Sequence, residues 1–450
     1  MQQNPLANLD GIALMPSDPQ YEEARQPWLR NHDSRPALVV LAASVSDVQK
    51  AVRYASASDL PIAIQSSGHG AIKSTDGAVL IKTERMQQLS IDSDAQTATF
   101  EPGVIAKKLV DAAAEYDLSP ITGDSPYVSS TGFTLGGGMG WLSRQYGFGA
   151  DSIVAATIVT ADGNIVTASD TDHPELLWAI KGGSGNFGVV VSLTVKLHSV
   201  QRGFGGSVNF AADDAQKVLE QYSTWAQTLP ESSTAFLQAV SMPPIPQLPA
   251  SISGKRVIIV QLFCNGDPVA AKEALDHLIE ATGCTPLANF TGEMTYANFL
   301  DMTPSFPPAA SVSATSLQST ITPEQIPVLA SFMQGSADLS AIVQIRPWGG
   351  VLAHPQQDSL LQYAEVGFSI YGVASLRGDD AAQAQTKEAF APLAEHLAQY
   401  ASGKQFINFS GSLDAVQHAY SDESLQKLRT AKQTYDPKNL FRMGHTIEQA

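Results

Sequence analysis

Three segments rich in glycine and serine could do chemistry, and all lie in the first 190 residues: 65–70 (QSSGHG), 129–140 (SSTGFTLGGGMG) and 182–188 (GGSGNFG). Small residues let backbone N–H groups approach an anion closely, and concave loops of this kind bind phosphates. A tight turn is the alternative explanation for any one segment. Three of them in a chain with 34 glycines favour a nucleotide cofactor.

One of these segments contains a literal dinucleotide fingerprint, Gly183-x-Gly185-x-x-Gly188. In a Rossmann domain this motif follows a strand and opens a helix. Here a predicted helix (175–180) precedes it and a predicted strand (189–197) follows it. The context is reversed, so the sequence argues against a nicotinamide-type Rossmann site.

His69 lies in the first glycine segment, directly after a predicted strand. A turn histidine with a satisfied ring is the alternative to a functional role. Metal ligation is not expected, because none of the other eight histidines shows HxH or HxxxH spacing. The two cysteines, Cys264 and Cys284, exclude a disulfide framework and a cysteine-built zinc site.

Composition limits the partners of the chain. Its 450 residues include 44 acidic and 27 basic side chains, a net charge of −17. That balance argues against nucleic acid and against an anionic membrane surface as partners. No apolar run approaches the roughly 20 residues of a membrane span, and the N-terminus lacks the features of a signal peptide. We therefore expect a cytoplasmic protein of two or three structural units.

The elements that must position these residues fall into two groups. Up to about residue 200, short β-rich runs alternate with helices, and 153–168 has the pattern of a hairpin turning at Asp162-Gly163. Beyond it, amphipathic helices (212–228, 267–282, 322–334 and 380–401) alternate with longer strand-like runs. This predicts an α+β fold with an antiparallel sheet backed by helices. A further strand is predicted at 405–409 (QFINF).

These segments resemble the berberine-bridge-enzyme-like branch of the vanillyl-alcohol-oxidase superfamily, whose flavoproteins carry a PCMH-type FAD-binding domain. RPALVVLAASVSDVQKAVRYA (35–55) resembles the opening strand and helix of that domain. IAIQSSGHG (62–70) and TGFTLGGGMGWLSRQYG (131–147) resemble its two flavin loops, and YDPKNLF (435–441) its C-terminal return. The resemblance implies a two-part FAD-binding domain, 1–202 (core about 35–200) plus 410–450, around a substrate domain at 203–409.

The resemblance also implies that FAD is bonded covalently to His69. Some relatives add a second link through a cysteine, but the matching residue here is Ser125, so we expect the single histidyl type. Val128 matches a position where a small side chain admits oxygen. The other residues implied to bind FAD are Ser66, Ser67, Gly68, Gly70, Ser129, Ser130, Thr131, Gly132, Gly136, Gly137, Gly138, Gly188, Val190 and Asn439.

The catalytic base is where the chain departs from the family pattern. Sugar oxidases of the family use tyrosines in a Tyr-x-Asn-Tyr motif, which is Phe406-Ile407-Asn408-Phe409 here. The glutamate of other members falls near Ile370. Tyr371 and His445 are therefore the candidate bases, although packing is the alternative role for Tyr371. Arg346, Trp348 and Tyr371 are expected to bind substrate.

The expected function is hydride transfer from a small organic substrate (an amine, an alcohol or a secondary metabolite) to covalent FAD. Oxygen would then reoxidise the flavin and yield hydrogen peroxide. A carbohydrate oxidase and a dehydrogenase with another electron acceptor stay open as alternatives, as does a non-catalytic protein that only holds FAD. We expect a monomer or a homodimer and no metal.

Overall fold

The computed structural model describes residues 6, 8–200, 202–303, 306–335, 339 and 341–449. The strands within them are β1 (Ile12–Leu14), β2 (Leu38–Leu41), β3 (Ile62–Gln65), β4 (Val79–Lys82), β5 (Leu89–Asp92), β6 (Thr97–Phe100), β7 (Leu118–Ser119), β8 (Ile153–Val159), β9 (Ile165–Ser169), β10 (Val189–Lys196), β11 (His198–Ser199), β12 (Gly203–Ala211), β13 (Ser233–Ser241), β14 (Arg256–Cys264), β15 (Ala288–Asn289), β16 (Gly292–Met294), β17 (Ala310–Gln318), β18 (Ile342–Pro347) and β19 (Phe368–Leu376).

The helices of the same residues are α1 (Tyr21–Ala24), α2 (Val45–Ala57), α3 (Ala106–Ala114), α4 (Ser130–Leu135), α5 (Ser143–Tyr146), α6 (Pro174–Ile180), α7 (Ala215–Thr228), α8 (Pro268–Thr282), α9 (Tyr296–Leu300), α10 (Ile326–Gln334), α11 (Asp380–Gln399), α12 (Ala415–Ala419) and α13 (Asp422–Tyr435). Among the described residues, none of these helices combines the length and the apolar character needed to cross a membrane.

Two larger sheets and a small two-stranded sheet, in which β7 pairs with β11, occupy the first 200 residues. The four-stranded sheet has the order β1-β2-β4-β3, with β4 parallel to both of its neighbours. The five-stranded sheet, β5-β6-β10-β8-β9, is antiparallel. The predicted hairpin is confirmed: β8 and β9 pair across a turn in which Gly163 has a φ of +77°, a conformation that glycine adopts without strain.

The eight-stranded sheet follows in the chain, with the order β15-β12-β14-β13-β18-β19-β17 and with β16 beside β12. Its pairings are antiparallel, and α7, α8, α10 and α11 pack on one face. Side chains alternate between the faces of a strand. In β19, Ile370 therefore faces the helices in the apolar core, whereas Tyr371 faces the other way. The predicted α+β architecture, an antiparallel sheet backed by helices, is confirmed.

The C-terminal residues return to the first two sheets. Leu428 and Ile447 join the apolar core of the five-stranded sheet, and Leu440 joins that of the four-stranded sheet. The backbone N–H of Ile62 in β3 donates a hydrogen bond to the carbonyl of Leu440 at 2.8 Å. The residues after 410 therefore pack with the first 200 residues, although the domain boundaries themselves remain a prediction.

The predicted strand at 405–409 is wrong. Residues Ile407–Phe409 form a turn of 3₁₀ helix instead. The side chain of Asn408 accepts a hydrogen bond from the backbone N–H of Gly138 at 2.6 Å, and Phe406 packs against Gly137. These contacts to the second glycine segment outweigh the β propensity of the aromatic and branched residues.

Candidate functional site

A cavity of about 540 Å³ lies where the two parts of the chain meet. Residues of the three glycine segments line one side, together with the C-terminal stretch 441–445; we call this side the glycine wall. The opposite side, which we call the sheet wall, consists of Ser313, Arg346, Ser369 and Tyr371 from strands β17 to β19. The volume lies within the range of about 300–1,000 Å³ that is typical of ligand and cofactor sites.

Most of the residues predicted for the site line this cavity. The lining residues that were predicted to bind FAD are Ser66, Ser67, Gly68, His69, Gly70, Ser125, Val128, Ser129, Gly132 and Gly136. Those that were predicted to bind substrate or to act in catalysis are Arg346, Tyr371 and His445. Folding therefore brings together residues that are more than 300 positions apart. Their individual roles remain predictions.

His69 is held on two sides in the glycine wall. Its ring stacks on Trp28, with the centroids 4.3 Å apart and the planes 15° from parallel. Its Nδ1 lies 2.9 Å from the hydroxyl oxygen of Ser67, which also accepts a hydrogen bond from the backbone N–H of Ser129. Burial lowers the pKa of His69 to about 4, so the imidazole is neutral at neutral pH and retains a nucleophilic nitrogen.

The glycine wall has the features that FAD requires. No atom lies within 4 Å of the position that a Cβ would occupy on Gly70, Gly132 or Gly444, so the backbone there is open to a ligand. The side-chain oxygen of Gln65 is buried without a partner, and so is Nδ1 of His445. Buried polar atoms normally have partners. An open backbone cradle with unpartnered polar atoms fits a cofactor that carries phosphates and a hydrogen-bonding ring.

Four residues of the second segment that were predicted to bind FAD do not line the cavity. Ser130 and Thr131 begin helix α4 and are buried. A Cβ on Gly137 would lie 2.7 Å from the ring of Phe406, and Gly138 donates its N–H to Asn408. These four residues support the wall from behind, whereas their neighbours Gly132, Phe133, Gly136 and Met139 line the cavity.

Four other predicted residues are also away from the cavity. Gly188 packs against β8, where a Cβ would come within 2.6 Å of the Val159 carbonyl, and Val190 is buried in the same sheet. Asn439 lies in the turn after α13 and has a φ of +52°. Trp348, predicted to bind substrate, is buried instead among the rings of Phe148, Tyr363 and Phe406.

The sheet wall contains an ion pair between distant residues. Nη2 of Arg346 lies 2.8 Å from Oδ2 of Asp124, and its Nε donates to the side-chain oxygen of Gln344 at 2.6 Å. The guanidinium also lies over the rings of Phe236 and Phe409, 4.9 Å from each centroid. These contacts hold the Arg346 side chain in one orientation at the cavity surface.

The two candidate bases, Tyr371 and His445, lie on different walls, and burial shifts their pKa values in opposite directions. Burial raises the pKa of Tyr371, while a hydrogen bond with Ser313 and the charge of Arg346 act in the opposite direction. Burial lowers the pKa of His445, while hydrogen bonds with the backbone of Ser410 and Ile407 act in the opposite direction. At neutral pH Tyr371 is therefore a neutral phenol, and His445 is a neutral imidazole that can accept a proton.

The cavity residues that were given no role in the sequence analysis include Trp28, Asp124 and Asn408. Asp124 stands one position before Ser125, in a segment that was considered only for a flavin link. Asn408 belongs to the motif that was considered only for its missing hydroxyls. Nothing in the sequence around Trp28 indicates that it reaches His69, 41 positions later, because only the tertiary fold makes this contact.

No group of three or more His, Cys, Asp or Glu side chains is arranged to hold a metal ion in the part of the chain that the structure describes. Cys264 is buried, Cys284 is half-buried, and both are free thiols. Neither lines the cavity.

Comparison with known proteins identifies two domains. Residues 36–169 match the FAD binding domain family, and residues 394–448 match the berberine and berberine-like family. The (R)-6-hydroxynicotine oxidase of Paenarthrobacter nicotinovorans is 34% identical over 239 residues, 52% of this chain and 49% of that protein, so the match spans about half of either sequence. The FAD-linked oxidoreductase YvdP of Bacillus subtilis is 24% identical over 457 residues, 98% of both chains.

Solved structures share the whole fold. The 6-hydroxy-D-nicotine oxidase of Arthrobacter nicotinovorans superposes with a TM-score of 0.86 over 99% of this chain and 100% of that one, at 23% identity. A berberine bridge enzyme variant superposes with a TM-score of 0.82 over 99% and 98%, at 20% identity. The solved structures show the fold, and the two matched domains together with the FAD-linked relatives show that the chain is an enzyme of the FAD-linked oxidoreductase type, with an FAD binding domain and a berberine-like domain.

Proposed function

We propose that this enzyme oxidises a small amine, alcohol or secondary metabolite, with FAD bonded to His69 and with O₂ as the electron acceptor. FAD, when bound, supplies the acceptor for a hydride from a substrate carbon. The observation that carries the proposal is the cavity itself, in which a neutral, half-buried His69 and the polar sheet wall face the same space. The substrate would lie between the open glycine backbone and the side chains of Arg346 and Tyr371.

The covalent attachment rests on the state of His69. Its neutral ring keeps a lone pair for bond formation, and the contacts with Trp28 and Ser67 limit its rotation. Attachment would join an imidazole nitrogen of His69 to the 8α carbon of FAD. It would release the imidazole N–H proton and one methyl proton, with O₂ as the two-electron acceptor that takes up both protons to give H₂O₂.

We propose that His445 accepts the proton that the substrate loses. This side chain lines the cavity, has an unpartnered Nδ1 and is neutral because burial lowers its pKa. Tyr371 is the alternative acceptor. Its raised pKa makes it a poor base at neutral pH, but its hydroxyl can donate a hydrogen bond to substrate.

The substrate class follows from what the walls lack. Phe406 is buried beneath the second glycine segment and Phe409 packs against Arg346, so neither offers the hydroxyl on which sugar oxidases of the family depend. Among the relatives, one is named a hydroxynicotine oxidase and one a chitooligosaccharide oxidase. The aromatic and apolar groups beside Arg346 favour the former type of substrate, a small molecule with an oxidisable amine.

Anaerobic reduction tests this function. The purified protein is mixed without oxygen with cyclic amines, benzylic alcohols and oligosaccharides in turn, and flavin absorbance is followed, with free FAD as the control. We expect an amine or alcohol to bleach the flavin, and air to restore the colour with release of peroxide. Bleaching by oligosaccharides alone would favour carbohydrate oxidation. A reduced flavin that persists in air would require another electron acceptor.

A further inference from the structure

The segment 27–31, which we call the strap, joins the His69 loop to the edge of the eight-stranded sheet. On one side, the N–H of Leu29 donates to the Gly68 carbonyl at 3.1 Å. On the other side, the N–H of Arg30 donates to the carbonyl of Ala309 at 3.0 Å, and the side-chain oxygen of Asn31 accepts from the N–H of Ser311 at 2.8 Å. The strap thus connects the loop of the glycine wall to strand β17, which contributes Ser313 to the sheet wall.

Trp28 lies at the centre of the strap and covers one face of His69. Gly68 allows this contact, since a Cβ there would lie 2.8 Å from the backbone nitrogen of Trp28 and 2.9 Å from the Cα of Pro27. The indole N–H donates to the carbonyl of Phe306 at 3.3 Å, which anchors the far end of the ring. The indole is therefore held by the substrate-domain loop while its face holds the imidazole.

We propose that Trp28 is a positioning residue for the covalent attachment of FAD, a proposal that rests on the proposed bond to His69. Trp28 fixes the plane of the imidazole and Ser67 fixes its rotation at Nδ1, so the ring is held before the cofactor arrives. Trp28 takes no part in the exchange: the new bond joins His69 to the 8α carbon, two protons leave, and O₂ accepts the two electrons.

The physical argument is preorganisation. Bond formation needs the nitrogen near-aligned with the 8α carbon, and a misplacement of about 1 Å can cost about 10²-fold in rate. Without the indole, one face of the imidazole would be open to water and the ring could rotate away from the cavity. Non-covalent binding of FAD depends instead on the open backbone of the glycine wall, which Trp28 does not form.

The experiment compares attachment with binding in Trp28 variants. Protein produced under riboflavin limitation is incubated with FAD, and the flavin that remains on the denatured chain is quantified by fluorescence and mass spectrometry over time. At saturating FAD, Trp28→Ala should attach the cofactor about tenfold or more slowly than the wild type, and the Kd for non-covalent FAD is measured separately because Trp28 also lines the cavity. Trp28→Phe, which retains a stacking ring, should restore most of the rate, whereas Trp28→Leu should not.

Trp178→Ala is the matched control. Trp178 is also half-buried and also donates its indole N–H to a loop carbonyl, that of Asp358 at 2.8 Å, but it does not line the cavity. It should attach FAD at the wild-type rate. Equal attachment rates in Trp28→Leu and Trp28→Phe would overturn the proposal, and so would a loss of non-covalent FAD binding that accounts for the whole effect. A wild type without any bound flavin after denaturation would instead refute the covalent link itself.

Discussion

The two walls of the cavity differ in the kind of groups that they present to it. The glycine wall consists largely of open backbone and small residues, with His69 and His445 among them, and its shape depends on what packs behind it. The sheet wall consists of polar side chains on regular strands, where Arg346 and Tyr371 project from one face while the apolar core lies on the other. Changes behind the glycine wall should therefore affect folding and flavin retention, whereas changes on the sheet wall should affect substrate turnover.

Polar side chains join the third glycine segment to the C-terminal residues that pack behind the glycine wall. Asn186, in the third glycine segment, donates from its side chain to the carbonyls of Gly183 and His445 at 2.9 Å each and accepts from the N–H of Ile447 at 2.9 Å. Lys432, with 0% of its side chain exposed, donates to the carbonyl of Asn186 at 2.9 Å. The C-terminal stretch that carries His445 is thus attached to the third segment by hydrogen bonds.

The largest expected effect is on the rate of flavin reduction, and it tests which wall supplies the catalytic base. His445→Ala should slow anaerobic flavin reduction by about 10²–10⁴-fold, the usual contribution of a positioned general base. Tyr371→Phe should slow it only a few-fold. Stopped-flow absorbance measures both rates, and the amount of bound flavin in each variant serves as the control. The reverse ranking would assign the base to the sheet wall.

The pH dependence checks the same assignment independently. Because burial lowers the pKa of His445, the base is neutral through the neutral range, and the reduction rate should stay constant down to about pH 6.5 and fall only at more acidic pH, near the lowered pKa. A tyrosine base with a raised pKa would place the same kind of rise at alkaline pH instead, with little activity in the neutral range. Tyr371→Phe should leave the acid limb of the wild-type profile in place.

A somewhat smaller effect is expected from the buried ion pair behind the glycine wall. Lys432 contacts Oδ2 of Asp436 at 2.7 Å, and both side chains are fully buried. Lys432→Met should destabilise the protein by about 3–5 kcal/mol, since it leaves a buried carboxylate without its cation. Chemical denaturation measures this loss. In the same helix, Lys427 pairs with Glu423 at 2.8 Å on the surface, and Lys427→Met should change stability little.

If Lys432→Met destabilised the protein as little as Lys427→Met, the glycine wall would not depend on the buried pair. A large loss in Lys432→Met accompanied by loss of flavin would instead support the comparison, since that lysine bonds directly to the third glycine segment through the carbonyl of Asn186.

The smallest expected effect concerns the sheet wall. Arg346→Gln removes the ion pair with Asp124 and the contact with Phe409. Turnover of a bleaching substrate, measured as kcat/KM, should fall by about 10²-fold, in line with the loss of a positioning side chain. The fraction of covalently bound flavin should stay at the wild-type value. Loss of flavin in this variant would show that the sheet wall also contributes to flavin retention, contrary to the expected difference between the walls.

Local features of the sequence predicted much of this structure. Strand-like runs between amphipathic helices indicated the antiparallel sheet, and the Asp162-Gly163 pair indicated the hairpin, because both signals arise from neighbouring residues. The glycine segments were found for the same reason. The segment 405–409 was assigned wrongly as a strand, because its conformation depends on the contact between Asn408 and Gly138, 270 positions away.

The sequence by itself therefore determined the class of fold, the glycine segments that line the cavity and the candidate anchor, His69, since these depend on short motifs and on periodicity. Only the tertiary structure decided which residues share the cavity. It brought Asp124 to Arg346 and Trp28 to His69, and it buried Trp348 among aromatic rings. The physical reason is that a motif specifies local backbone conformation, whereas contacts between distant side chains depend on how whole sheets and loops pack together.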